Sequence, residues 1–177
     1  MKSLKRQVIS VGAYSAISAT SGKINIATWT IRFPQWRGQS LDGAQKGSYK
    51  IKPLVEIDGE PLFGELAILR LLQKDGWDGV WVDTYHGYFW KGLPDQAVPC
   101  SLPATAQDIY DRIVARHGKR GGFFDVFAWR GRKLLFAEYK GEGDKLKPNQ
   151  VSWIGAAVAS GISPSSFLLV EYNTRGN

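Results

Sequence analysis

The sequence predicts a mixed α/β domain, and three observations carry that expectation. Helical and strand periodicities alternate after about residue 61 in the order helix, strand, helix, strand, strand, helix, strand. The last strand–helix–strand unit, over residues 133–140, 148–160 and 167–172, calls for parallel strands joined by a right-handed crossover. Residues 1–60 instead read as a β-rich extension ahead of the main domain at 61–177.

Each element has its own signal. Residues 24–31 alternate and are rich in β-branched and aromatic side chains, as a strand requires. Pro34, Gly38, Gly43 and Gly47 break that pattern into a loop. Residues 49–57 read as a second strand closed by the Asp58–Gly59 turn, and the two strands as a hairpin packed on the main domain. Leu66, Ile68, Leu69 and Leu72 place a helix over about 62–74, with Gly76 as its stop. Residues 79–83 form a short strand, whereas Gly92, Pro94 and Pro99 mark 89–102 as a loop. Thr105 is expected to cap a helix reaching about His117. Residues 123–129 and 133–140 read as strands joined by the Arg130-Gly131-Arg132 turn. Pro148 suits the first turn of a helix that stops at Gly161, and residues 167–172 form the last strand.

Composition narrows the function. In 177 residues, 44% hydrophobic and 22% charged side chains exclude wholesale disorder. No apolar run approaches the roughly 18 residues of a membrane span, and residues 8–17 are too interrupted for a signal peptide. One cysteine excludes a disulfide framework and fits a reducing, intracellular setting; two histidines disfavour a zinc–histidine enzyme. A net charge of +7 favours a polyanionic partner, nucleic acid above all.

The chemistry concentrates in two adjacent strands. Asp125 interrupts the apolar run Phe123-Phe124-Asp125-Val126-Phe127-Ala128-Trp129, and a carboxylate in that setting wants a partner or a metal. Glu138 and Lys140 lie two residues apart and therefore project from one face of their strand. A hairpin brings Asp125 beside them, giving a hard-oxygen site suited to Mg²⁺ or Mn²⁺ with a lysine at hand for metal-assisted phosphodiester hydrolysis. Read alone, Glu-X-Lys is equally a surface ion pair at a strand end, and the two strands leave both readings open.

The segments Gly121–Trp129, Phe136-Ala137-Glu138-Tyr139-Lys140-Gly141-Glu142-Gly143-Asp144-Lys145-Leu146 and Asn149-Gln150-Val151-Ser152-Trp153-Ile154 together resemble the VRR-NUC family of the PD-(D/E)XK nuclease superfamily. The resemblance implies a restriction-endonuclease-like mixed β-sheet flanked by helices, and a Mg²⁺- or Mn²⁺-dependent deoxyribonuclease. It implies that Asp125 and Glu138 hold metal, with the Tyr139 carbonyl as a third oxygen. Lys140 matches the motif lysine, and Gln150 the glutamine on the helix behind the site. Glu65, in Glu65-Leu66-Ala67-Ile68-Leu69, matches the helical acid that adds a further ligand; otherwise it is a first-turn acid favoured by the helix dipole. Phe124 stands where the family often has proline, and Tyr139 where it often has valine. The resemblance further implies branched DNA, flaps or four-way junctions, as substrate and a homodimer for a stand-alone domain. Two other functions remain: a DNA-binding module without activity, and a sequence-specific restriction endonuclease.

Basic residues flank the acidic cluster in sequence. Lys119, Arg120, Lys145 and Lys147 are candidate contacts to DNA phosphates, with Arg130, Arg132 and Lys133 close behind. Trp29, Trp36, Phe33, Arg32 and Arg37 could stack on unpaired bases or simply pack a core.

Overall fold

The structure is a computed structural model describing residues 1–18, 21–38, 53–84, 86–92, 99–119, 121–141 and 144–172. Its elements are α1 (Lys2–Lys5), β1 (Val8–Ser18), β2 (Gly22–Ile31), β3 (Leu54–Ile57), β4 (Glu60–Phe63), α2 (Gly64–Lys74), β5 (Asp78–Asp83), β6 (Tyr88–Trp90), α3 (Ala104–His117), β7 (Val126–Arg130), β8 (Lys133–Gly141), α4 (Pro148–Ala159) and β9 (Phe167–Tyr172). Seven strands form one mixed sheet in the order β1-β2-β9-β8-β7-β5-β6, and β3 with β4 forms a separate hairpin. The restriction-endonuclease-like α/β architecture expected from the sequence is present. Among the described residues no helix is long and apolar enough to cross a membrane.

The alternation of β7, β8 and β9 divides the apolar side chains between two cores. Val126, Ala128, Leu135, Ala137 and Val170 face one side, against α2 and the β3–β4 hairpin. Phe127, Phe136, Phe167 and Leu169 face the other, against α3 and α4. Trp153 of α4 is fully buried there, with ring centroids 4.7 Å from Phe123, 5.3 Å from Phe136 and 6.2 Å from Phe167. Phe127 and Phe136 stack at 4.6 Å, as their direct register opposition requires. β8 and β9 run parallel with Glu138 opposite Leu169, so the strand–helix–strand unit is placed as the sequence indicated.

Several local expectations change. Residues 8–17, too interrupted to suggest a leader, belong to β1, which pairs antiparallel with β2 along almost its whole length. β2 does not pair with β3; it runs parallel to β9, so the N-terminal strands extend the main sheet. β3 pairs instead with β4, because the Asp58–Gly59 turn joins them and Asp58 takes the positive φ of 54° that such a turn needs. The proposed loop at 89–102 contains the end of β6, held by Trp81↔Trp90 pairing. Pro103, not Thr105, is the N-cap of α3, and Thr105 lies inside the helix. Residues 123–125 precede β7 instead of belonging to it. Trp29 and Phe33 are buried in the α2-side core, which removes them from any base-stacking surface. The greater part of the proposed 37–47 loop, and residues 49–52 of the proposed second strand, lie outside the described residues.

Trp153→Ala is expected to cost about 3–5 kcal/mol, the loss typical of a large buried aromatic. Urea denaturation checks this: the midpoint should fall with little change in slope.

Candidate active site

The β7–β8 ladder ends at Val126↔Ala137. One step further the chain bends at Asp125, and the backbone donors there lose their ladder acceptors. Side chains replace them. The Glu138 carboxylate accepts from the Asp125 backbone N–H (3.3 Å), and the Asp125 carboxylate accepts from the Tyr139 N–H (2.9 Å). The two acids thus cross-brace the point where the strands part. On the next strand edge, the Val82 N–H donates to the Asp125 carbonyl at 2.8 Å, which fixes the bend from the β5 side.

Glu138 and Lys140 project together toward α4. Glu138 is 3% exposed and Lys140 9%. Lys140 Nζ lies 2.8 Å from Glu138 Oε1, an ion pair shielded from water. Gln150, 8% exposed, completes the cluster from the first turn of α4. Its Nε2 donates to Glu138 Oε1 at 2.5 Å, while its Oε1 accepts from Lys140 Nζ at 3.2 Å and from the Lys147 N–H at 3.0 Å. One amide therefore serves both partners of the ion pair and also satisfies an otherwise orphaned backbone donor at the helix start. Such a buried pair is tolerable because Gln150 and the Asp125 N–H add hydrogen bonds to it.

Two glycines set how closely the surrounding elements approach. Gly122, at φ 92°, has no room for a Cβ against the Asn149 carbonyl, so the segment entering Asp125 lies directly on the N-terminus of α4. Gly64 leaves no room for a Cβ against the Tyr139 ring, so α2 sits on the opposite side of β8. The pairing Gly64–Tyr139 was not legible in the sequence; a small residue at a helix start has many uses.

Glu65 sits in the first turn of α2 and is 8% exposed. It lies on the Tyr139 side of the sheet. Burial pushes the Tyr139 hydroxyl well above the usual tyrosine range, and the Glu65 charge and Tyr172 add to the shift. Among the described residues, no group of three or more His, Cys, Asp or Glu side chains is gathered as a metal cage. The structure thus joins Asp125, Glu138, Lys140 and Gln150 through hydrogen bonds, while Glu65 lies beside the Tyr139 side chain.

The basic candidates separate. Lys145 and Lys147 are exposed on the segment between β8 and α4, Lys147 as the N-cap of α4. Lys119 is exposed just beyond α3. Arg120 lies outside the described residues. Arg130, Arg132 and Lys133 flank the acids in sequence, but the length of β8 carries them to the far end of the sheet.

Residues 67–165 match the model of the VRR-NUC domain. The chain belongs to that family, within the PD-(D/E)XK nuclease superfamily, and so stands among nucleases. The match contains Asp125, Glu138, Lys140 and Gln150; Glu65 and the strands before it precede it. No curated protein and no solved structure matches this chain.

Gln150→Ala is expected to lower stability by about 1–3 kcal/mol, since it strips hydrogen bonds from two buried charges and from the helix start. Thermal unfolding of the purified variant measures the loss; an unchanged midpoint would show that the amide is dispensable.

Proposed function

We propose that this protein is a divalent-metal-dependent deoxyribonuclease that hydrolyses phosphodiester bonds, selectively in branched DNA such as flaps or four-way junctions. The observation that carries the reading is the single hydrogen-bonded cluster of Asp125, Glu138, Lys140 and Gln150 inside the matched family span. The family resemblance is what supports the preference for branched substrates, together with a homodimer that would bring two such sites to a four-way junction.

The donor set fits a hard cation. Mg²⁺ is commonly held by one or two carboxylates together with substrate phosphates and water, so a cage of three acids is not needed. Asp125 and Glu138 would hold it. The backbone N–H and C=O of a strand residue point toward the same neighbouring strand. Because the Tyr139 N–H reaches Asp125, its carbonyl faces the same gap and is the natural third oxygen. Glu65 would join only from the α2 side. When bound, a divalent cation would supply Lewis-acid stabilisation of phosphate charge and make a water molecule more acidic.

The chain's own groups do the rest. Gln150 and Lys140 grip Glu138 by Oε1, which leaves Oε2, on the longer 3.3 Å bond, as the oxygen freer to turn toward a cation. Lys140 holds a positive charge and N–H donors beside the reacting phosphate, positioned to orient the attacking water and offset the charge that develops. Gln150 is a positioning residue, holding the lysine and the glutamate at a fixed separation. Lys119, Lys145 and Lys147, with Arg120, would contact phosphates on either side and offset the repulsion between DNA and the two acids.

A cleavage panel of single-stranded, duplex, flap and four-way DNA, with Mg²⁺, Mn²⁺ or EDTA, tests the reading. Cleavage should require the metal and favour the branched substrates. Lys140→Ala, shown to be folded, should lower the rate on the order of 10²–10³ while DNA binding persists. Wild-type binding without cleavage would support an inactive binding module instead. Cleavage by Lys140→Ala at the wild-type rate would remove the assignment of activity to this cluster.

A further inference from the structure

The cationic residues that left the acidic cluster have gathered elsewhere. β7 ends and β8, β9 and β5 begin at the edge of the sheet opposite Asp125 and Glu138. An open cleft of about 640 Å³ lies there, and Lys2, Lys5, Arg130, Arg132 and Lys133 all line it. Among the described residues no Asp or Glu lines it. Nor does any described carboxylate lie within ion-pair distance of Lys2, Lys5, Arg132 or Lys133. Ser163, Ser165 and Ser166, just before β9, also line it and add hydroxyl groups.

The cleft is built on fixed parts. The Arg130 guanidinium lies 5.2 Å from the Trp77 ring and donates to the Asp75 carbonyl at 2.9 Å. The Asp75 carboxylate accepts from the Ser3 N–H (2.8 Å) and hydroxyl (2.8 Å), which ties α1, and with it Lys2 and Lys5, to the end of α2. Two separate stretches of chain, α1 and the β7–β8 turn, are thereby held with like charges converging. Cations that converge with no acid among the lining residues cost repulsion, and a polyanion relieves that cost.

From this we infer a second phosphate-binding site at the end of the sheet remote from the nuclease cluster, whose ligand is the DNA backbone. The inference rests on the nuclease reading and adds to it. β8 carries Lys133 at one end and Lys140 toward the other; at a strand rise of about 3.3 Å per residue the two are about 23 Å apart. That equals roughly seven base pairs of duplex at about 3.4 Å each. A substrate with long arms can occupy both sites at once, whereas one with very short arms reaches only the cluster it is cut in. The remote site would thus favour DNA that extends away from the cut. The lysine and arginine charges bind phosphates without reading sequence, and the serines add hydrogen bonds of the same kind.

The test uses the full chain carrying Lys2→Glu, Lys5→Glu, Arg132→Glu and Lys133→Glu, with Arg130 spared because it also packs on Trp77. A milder set, the same four positions changed to Gln, serves if the reversed charges prevent folding. Steady-state cleavage is measured on one branched substrate with arms of about 30 base pairs, and on another with hairpin-closed arms of about three, too short to span the separation. For the long-armed substrate, kcat/KM should fall on the order of tenfold. The log–log salt dependence of its binding should become shallower by about 0.9 for each phosphate that the variant no longer neutralises. Values for the short-armed substrate should be nearly unchanged. Equal losses on both substrates, or no loss on either, would overturn the second site while leaving the nuclease reading intact. A wild-type protein that neither binds nor cuts DNA would overturn both.

Discussion

The buried ion pair of Glu138 and Lys140, shared with Gln150, is the interaction on which the site depends. Both charges arise from one strand and face one helix, so neither can escape to water without opening the β8–α4 contact. Removing either partner leaves an uncompensated buried charge, a change that commonly costs about 3–5 kcal/mol. Gln150 supplies what makes the pair tolerable, and it can do so only because Gly122 lets the entering chain lie on the start of α4. The Asp125 carboxylate belongs to the same arrangement, since it caps the Tyr139 N–H where the ladder stops. Each acid therefore has a structural duty before any cation arrives. A divalent ion would have to compete with these donors, and its binding should be felt in the stability of the strand ends.

The sheet is polar in its chemistry along its length. Carboxylates collect where β7 and β8 diverge, and cations collect where the same strands are joined by their turn. Net charge alone said only that the chain is basic; the fold places Asp125 and Glu138 at one end of these strands and Arg130, Arg132 and Lys133 at the other. Parallel β8 and β9 make this possible, because their crossover places the Lys145–Lys147 segment at the acidic end and the Ser163–Ser166 turn at the cationic end. β1 and β2 add to the same sheet through β9, and the Ser3–Asp75 hydrogen bonds hold α1 at the cationic end. They precede the family match, which makes that end a feature of this chain's own N-terminal segment as much as of the shared domain.

The central part of the fold was legible because its signals are local. Alternation, the Arg130–Arg132 turn, Pro148 and the glycine stop mark β7, β8, α4 and β9 within a residue or a few. Asp125, Glu138 and Lys140 could be brought together on paper because strand parity and a short hairpin determine the geometry. Partner choice between distant strands was not legible. β2 reads as well beside β3 as beside β9, since pairing over such a separation is decided by the whole sheet. β1 was hidden because its outward residues Ile9, Val11 and Ile17 are apolar, which blurs the alternation of a half-buried strand. The short β6 was obscured by the glycine and prolines just after it. Glu65 was correctly placed at a helix start, but which side of β8 that helix covers depends on packing at Gly64 and Tyr139.

The most direct test of the central claim is calorimetric titration of Mn²⁺ into the folded protein without DNA, repeated on Asp125→Asn and Glu138→Gln, with Mg²⁺ as competitor. Saturable binding by the wild type, displaced by Mg²⁺ and lost in each variant, is the expected result. Identical binding by wild type and both folded variants would place the metal elsewhere and contradict the account of this site.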